Sequence, residues 1–162
     1  MLAHDRVVTC ARISAALRGL LSSTVRHALA RKTFGKKLLE FDLIQQKLGD
    51  AAAHLYALES MVYMTAGIAD TQVDMDFNLE AAACKRFAVR AIKVVSDNCL
   101  SVLGSRAYLD GDPHRMCVND LMAYSLWDST DEILSMYIAV SGIGLAGSAV
   151  STYARLFLTV LI

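Results

Sequence analysis

Val7-Val8-Thr9-Cys10-Ala11-Arg12-Ile13-Ser14-Ala15-Ala16-Leu17-Arg18-Gly19-Leu20-Leu21 decides the fold class. Val7, Cys10, Ile13, Leu17, Leu20 or Leu21, Val25 and Ala28 return at intervals of three and four, which puts them on one stripe of an α-helix. The stripe predicts a helix from about Asp5 to about Lys32, stopped at Thr33-Phe34-Gly35 by glycine.

The same period continues along the chain. Ile44, Leu48, Ala52, Leu55, Leu58 and Val62 predict a second helix, with Asp42 as its N-cap, that fades in the polar stretch Asp70 to Asp76. A third is expected from Asn78 to Leu103, with Leu79, Ala83, Phe87, Ala91 and Val94 facing inward and Gly104-Ser105 closing it. Asp110-Gly111-Asp112-Pro113 is the strongest turn signal. A shorter helix is expected over His114 to Leu126, and a last long one from near Thr130, with Glu132 in its first turn where a negative charge suits the dipole. No stretch alternates with period two, so no sheet is expected. The expected fold is all-α, an antiparallel four-helix bundle forming one domain over residues 1–162. Its core is residues 5–147, and 148–162 is an apolar extension. Helices apolar on more than one side call for a covering partner, so a homodimer or association with other subunits is expected.

Composition narrows the function classes. The 162 residues are 55% hydrophobic and 20% charged, with one proline and nine glycines, the profile of a folded core. Sixteen basic residues balance sixteen acidic ones, so no nucleic-acid partner is expected. Cys10, Cys84, Cys99 and Cys117 form no C-x-x-C pair and read as reduced, buried residues. His114 and Cys117, three apart, fall short of the four ligands of a structural zinc, so no metal is expected. His27, His54, Glu59 and Glu80 lack ligand partners at useful spacing; Met61, Tyr63 and Met64 read as core or interface residues. The apolar runs at Met136 to Val150 and Leu156 to Ile162 are shorter than the ~20 residues of a membrane span, which leaves peripheral membrane contact as an alternative.

Ordered motifs then carry a resemblance. Arg31-Lys32-Thr33-Phe34-Gly35-Lys36-Lys37-Leu38, Leu43-Ile44-Gln45-Gln46-Lys47-Leu48, Glu59-Ser60-Met61-Val62-Tyr63, Glu80-Ala81-Ala82 with Lys85, Leu103-Gly104, Asp120 and Thr130 to Leu134 follow one another without gaps. In that order they resemble the acyl-CoA dehydrogenase family, its very-long-chain branch above all, over Arg6 to about Gly147. The resemblance implies the C-terminal helical domain of that fold. It also implies an N-terminal helical domain and a middle β-domain, neither of which is represented among these residues. It implies FAD as cofactor, fatty acyl-CoA as substrate and a mitochondrial location.

By the same resemblance, Arg31 pairs with the flavin dinucleotide's pyrophosphate, for which the planar guanidinium fork is suited. Thr33 and Phe34 lie along the dinucleotide. Gly104 and Ser105 belong to a turn that approaches a neighbouring subunit's cofactor, and Thr130 and Asp131 meet a dinucleotide from the start of the last helix. Arg6 supports the active site. Trp127-Asp128-Ser129-Thr130-Asp131-Glu132-Ile133-Leu134 resembles the family's F-E-G-T-N-E-I-L, which makes Asp128 the catalytic base, one methylene shorter than the family's glutamate. Gly104-Ser105-Arg106-Ala107 stands for G-G-x-G, Ser101 for a flavin-contacting glutamine, and Arg115 to Asp120 for E-R-x-x-R-D. Asp131 brings a negative charge where the family has asparagine. Two functions follow: a part of a flavin-dependent acyl-CoA dehydrogenase with a weakened base, or a non-catalytic assembly module such as a respiratory complex I-associated scaffold.

Overall fold

The computed structural model describes residues 2–71 and 76–160, with side chains at all of these except 149 and 152–160. Within the polar break, positions 72–75 lie outside the described residues, as do the side chains of the apolar tail 156–162.

Five helices carry the chain: α1 (Leu2–Ala30), α2 (Asp42–Thr71), α3 (Asn78–Leu103), α4 (Pro113–Ala123) and α5 (Asp131–Val160). Two small apolar clusters fix their directions. Ala3, Phe77 and Ala81 meet Val7, Ile68 and Ala69, so the start of α1, the end of α2 and the start of α3 share one end of the bundle. Ala28, Leu48 and Val102 meet Leu38, Leu39 and Ile44 at the other end. Helices α1 and α3 are therefore parallel, and α2 runs against both. Between the ends, Ile13, Leu17, Leu58, Ile92 and Val95 are closed from solvent, with Val118 and Leu121 of α4 joining them.

The α1 stripe is buried as its spacing requires. On α2 the buried positions are Leu48, Ala51, Leu55, Leu58, Val62 and Thr65; Ala52 is exposed, and Ala51 is the alanine that keeps the seven-residue repeat. The expected inner face of α3 is corrected: Ala91 is buried, while Leu79, Ala83, Phe87 and Val94 are half-buried. Ala81, Ala82, Cys84, Lys85, Ala88, Val89, Ile92, Val95 and Cys99 are buried instead. Helix α3 contacts every other helix, and its small residues let those helices approach from several sides. Met61 packs on the core, whereas Tyr63 and Met64 stand in solvent. The four cysteines are free, and three are buried.

The expectation of no sheet is overturned in one place. Two short strands, β1 (Lys32–Thr33) and β2 (Lys36–Lys37), pair antiparallel, with Lys32 opposite Lys37 and Thr33 opposite Lys36. Phe34 (φ 49°) and Gly35 (φ 81°) form the turn, positive φ at both central positions being the hairpin geometry that matches strand twist. Glycine here bends a hairpin that follows the end of α1. At α2 the Phe41 carbonyl already accepts from Gln45, which puts Asp42 in the first turn instead of at the cap. Among the described residues no helix is long and apolar enough to cross a membrane.

The turn before α4 shows how sequence chemistry starts a helix. Gly111 takes φ 76°, Asp112 caps with its side chain accepting from the N–H groups of His114 and Arg115, and Pro113 occupies the first helical position. Burial pushes the Asp112 carboxyl up, but the hydrogen bonds from Arg115 and His114 outweigh it and hold the group below its ordinary value of 3.8. Asp112→Ala is expected to cost about 1 kcal/mol in urea unfolding at neutral pH. Because the folded-state value is the lower one, the charge contribution of Asp112 is present above the unfolded value of 3.8 and is lost as pH falls through the folded value. The stability gap between wild type and Asp112→Asn therefore narrows as acid is added, and a gap that widens toward low pH contradicts the assignment.

Candidate functional site

Asp128 lies in the loop between α4 and α5, and its backbone takes φ 68°. Aspartate tolerates this left-handed region better than most side chains, glutamate included. The Arg6 Nε donates to Asp128 Oδ2 at 2.7 Å, and the two side chains are 10% and 15% exposed. The Arg6 guanidinium also lies 5.9 Å from the ring centre of Tyr137 on α5. The start of α1 thus holds the loop that starts α5, through Arg6, which the resemblance made an active-site support.

Beneath that loop runs a groove along α1. One section, of about 540 Å³, is lined by Leu2, Asp5, Val8, Thr9, Arg12, Trp127 and Asp128. The next, about 500 Å³, shares Thr9, Arg12 and Trp127 and adds Asp120, Ala123 and Tyr124. Asp128 therefore sits at the edge of this groove. Asp5, Val8, Thr9 and Arg12, three and four apart, form one face of α1; the sequence reading missed this face because it is only partly apolar.

A second tie comes from below. Lys85 of α3 is wholly buried, and its Nζ donates to the Tyr124 carbonyl at 2.5 Å, at the end of α4. Burial lowers the Lys85 pKa from its ordinary 10.5, and the Asp128 carboxylate opposes that shift. Lys85 was read from sequence only as part of a motif. The structure makes it the floor of the loop that carries Asp128.

The start of α5 is occupied by its own acids. The Thr130 carbonyl accepts from Leu134, and Asp131 pairs with Arg86 at 3.2 Å, so its charge is met by α3. Glu132 is held below its ordinary value by its own backbone N–H and by the Thr130 hydroxyl. A negative charge in this first turn is favoured by the helix dipole and makes the same end less welcoming to a phosphate.

The other predicted cofactor residues gather at the far end of the bundle. Arg31 and Phe34 are exposed and Thr33 half-buried at the hairpin; Phe34 is 92% exposed at its tip. Gly104 ends α3 with φ 64°, and a Cβ there would meet nothing within 4 Å, so backbone is presented to open space. Ser105 is exposed beside it, and Ser101 one turn back accepts from Lys47. From Arg6 to Arg31 is roughly 37 Å along α1. One copy of the chain cannot close both groups around a single dinucleotide. The hairpin end could hold a flavin dinucleotide, with an exposed guanidinium, an exposed aromatic face and an open glycine; at the α5 start, Glu132 and Asp131 put two acids in the first turn, which suits a phosphate less well.

Solved structures share this helical bundle. The chain superposes on butyryl-CoA dehydrogenase from Megasphaera elsdenii with a TM-score of 0.81 at 24% identity, covering 88% of this chain and 37% of that one. On a glutaryl-coenzyme A dehydrogenase in complex with glutaryl-CoA the TM-score is 0.82 at 22% identity, over 88% and 36%. The chain belongs to the acyl-CoA dehydrogenase family, whose C-terminal domain profile matches residues 1–143. Among curated relatives, the very long-chain specific acyl-CoA dehydrogenase, mitochondrial, of Bos taurus is 32% identical over 142 residues, which is 88% of this chain and 22% of that protein. Benzylmalonyl-CoA dehydrogenase of Aromatoleum aromaticum is 33% identical over 138 residues, 85% and 36%. The chain thus spans about a fifth to a third of the length of these relatives. Members of the family are FAD-dependent flavoproteins and are oligomeric.

Proposed function

We propose that this chain supplies the helical half of a flavin-dependent acyl-CoA dehydrogenase site, with Asp128 as a shortened α-proton base. The Arg6–Asp128 pair at the edge of the α1 groove carries the reading. Arg6 holds Oδ2, and among the described residues no hydrogen bond engages Oδ1, which is left to accept the proton. Trp127 and Arg12 flank the space in which an acyl chain would lie. A flavin, when bound, supplies the acceptor for the hydride leaving the β-carbon. Arg31, Thr33, Phe34, Gly104 and Ser105 would hold it from one copy and Thr130 from another, because the two groups stand at opposite ends of one bundle. A dimer is the minimal assembly for this arrangement, and the family's N-terminal helical and middle β-domains would complete the site. The likeness to mammalian relatives with mitochondrial in their names supports a mitochondrial location.

A base must come within ~3 Å of its proton. Losing one methylene withdraws the carboxylate by roughly 1–1.5 Å, and a misplacement of ~1 Å costs about a hundredfold. Weakened chemistry is the expected phenotype. Titration with FAD, followed by flavin fluorescence with molecular size measured alongside, tests the cradle. Binding is expected to accompany dimer formation and to weaken about fivefold in Arg31→Ala, a charge-assisted contact at an exposed site. Equal affinity in both proteins would remove Arg31 from the site.

The second reading, a non-catalytic assembly module, draws on α5. Ile133, Met136, Val140, Ile143 and Val150 are exposed large apolar residues on that one helix, and Asp131 and Glu132 put negative charge in its first turn. A colourless chain that co-purifies with one partner at fixed stoichiometry would favour this reading over the first.

A further inference from the structure

We propose that Ser23, His114 and Asp112 form a second chemical site, a serine nucleophile that accepts short acyl groups from activated esters. Ser23 Oγ lies 2.7 Å from His114 Nε2, and His114 Nδ1 lies 3.0 Å from Asp112 Oδ1. Asp112 is held ionised, so it can only accept, and Nδ1 must carry the hydrogen. Nε2 is then the bare nitrogen and takes the hydrogen bond from the Ser23 hydroxyl. This is the order of groups by which an imidazole, oriented by a carboxylate, draws the proton from an attacking serine, and that constellation recurs on unrelated folds.

A trough opens onto these groups. It holds about 210 Å³ between α1 and α4 and is lined by Ala16, Gly19, Leu20, Ser23, Pro113, His114 and Cys117. Gly19, one turn before Ser23, leaves the approach clear, since a Cβ there would meet nothing within 4 Å. The small, mostly apolar walls admit an acyl chain of a few carbons. The site is separate from Asp128: Ser23 lies roughly 25 Å along α1 from Arg6. It does not depend on the dehydrogenase reading.

In the step itself, Ser23 Oγ bonds to the carbonyl carbon while its proton passes to His114 Nε2. The bond to the leaving alcohol breaks, and that alcohol takes the proton from Nε2. The products are an acyl-Ser23 ester and a free alcohol. Water, deprotonated by the same nitrogen, later returns the serine and releases the acid. Positive charge lies to one side: His27, one turn beyond Ser23, is held below its ordinary value by burial and then by Arg106 and Arg31. The first amides of α4 are already engaged, His114 and Arg115 on Asp112 Oδ1 and Met116 on the Asp112 carbonyl. Each missing oxyanion donor costs ~10²–10³ in rate, so the site acylates slowly and retains its acyl group.

The test treats the full 162-residue chain with a fluorophosphonate probe and, separately, with p-nitrophenyl acetate, read by intact mass and peptide mapping. The expected result is a single adduct on Ser23 with either reagent and a burst of about one p-nitrophenol per chain. Ser23→Ala gives no adduct. His114→Gln slows phosphonylation about a hundredfold or more. Gly19→Leu, which fills open space and suits a helix, keeps the fold by circular dichroism and closes the trough to p-nitrophenyl acetate. A folded wild-type chain without an adduct on Ser23 overturns the proposal. So does an adduct that forms as fast in His114→Gln, or a trough variant acylated at the wild-type rate.

Discussion

Lys85→Glu is expected to remove about 3–5 kcal/mol of folding stability. Lys85 is wholly buried, and its ammonium is the donor to the Tyr124 carbonyl. Glutamate there buries a carboxylate facing the Asp128 carboxylate and orphans that carbonyl. A chain of this size has roughly 5–15 kcal/mol in total, so the variant unfolds roughly 10 °C or more below wild type or fails to fold. Lys85→Met keeps the stem and drops the charge, so it should fall between the two. The pH dependence has a definite sign. The Lys85 pKa is lower folded than unfolded, so burying the ammonium opposes folding below the folded value, and that cost is relieved as pH rises toward 10.5. The advantage of wild type over Lys85→Met therefore grows with alkali. Equal melting of wild type and Lys85→Glu would contradict the burial of this side chain.

Asp128→Asn is expected to slow acyl-CoA dehydrogenation by ~10²–10⁴, the usual contribution of a positioned general base. The amide keeps the size of the side chain and can still accept from Arg6, but it leaves a largely buried guanidinium without its counter-charge, so a moderate fall in melting temperature is expected. The readout is flavin bleaching by an acyl-CoA with the chain joined to the remaining domains of a family member. A matching loss of melting temperature would mean that the loop had collapsed. An undiminished rate would move the base elsewhere.

Much of the fold was legible because α1 and α2 each bury one stripe: Cys10, Ile13, Leu17 and Ala28 on the first, Leu48, Leu55, Leu58 and Val62 on the second. Helix α3 was harder because it is covered on several sides. Its alanines and cysteines pack inward without the size contrast that marks a stripe, and the expected face came out about one residue off. The hairpin at Phe34-Gly35 has two residues per strand, too few to show any period. The Asp128 position was legible only through resemblance to a family motif. Its tie to Arg6 joins residues 122 apart, which no local spacing can reveal. The pairing of Asp131 with Arg86 and the hold of Glu132 on the start of α5 depend on rotamers and neighbours, so the sequence suggested only a misplaced charge. The Ser23–His114 contact likewise joins two helices whose sequences give no sign that they meet.

The most direct test of Asp128 as the shortened base of an acyl-CoA dehydrogenase is the rate of flavin reduction by acyl-CoA in Asp128→Glu with Ser129→Gly, measured with the chain in place of a very-long-chain enzyme's own C-terminal domain. Restoring the methylene should speed reduction by about a hundredfold, even though glutamate is less at ease at φ 68°. A rate that stays at the level of the aspartate protein would contradict the account.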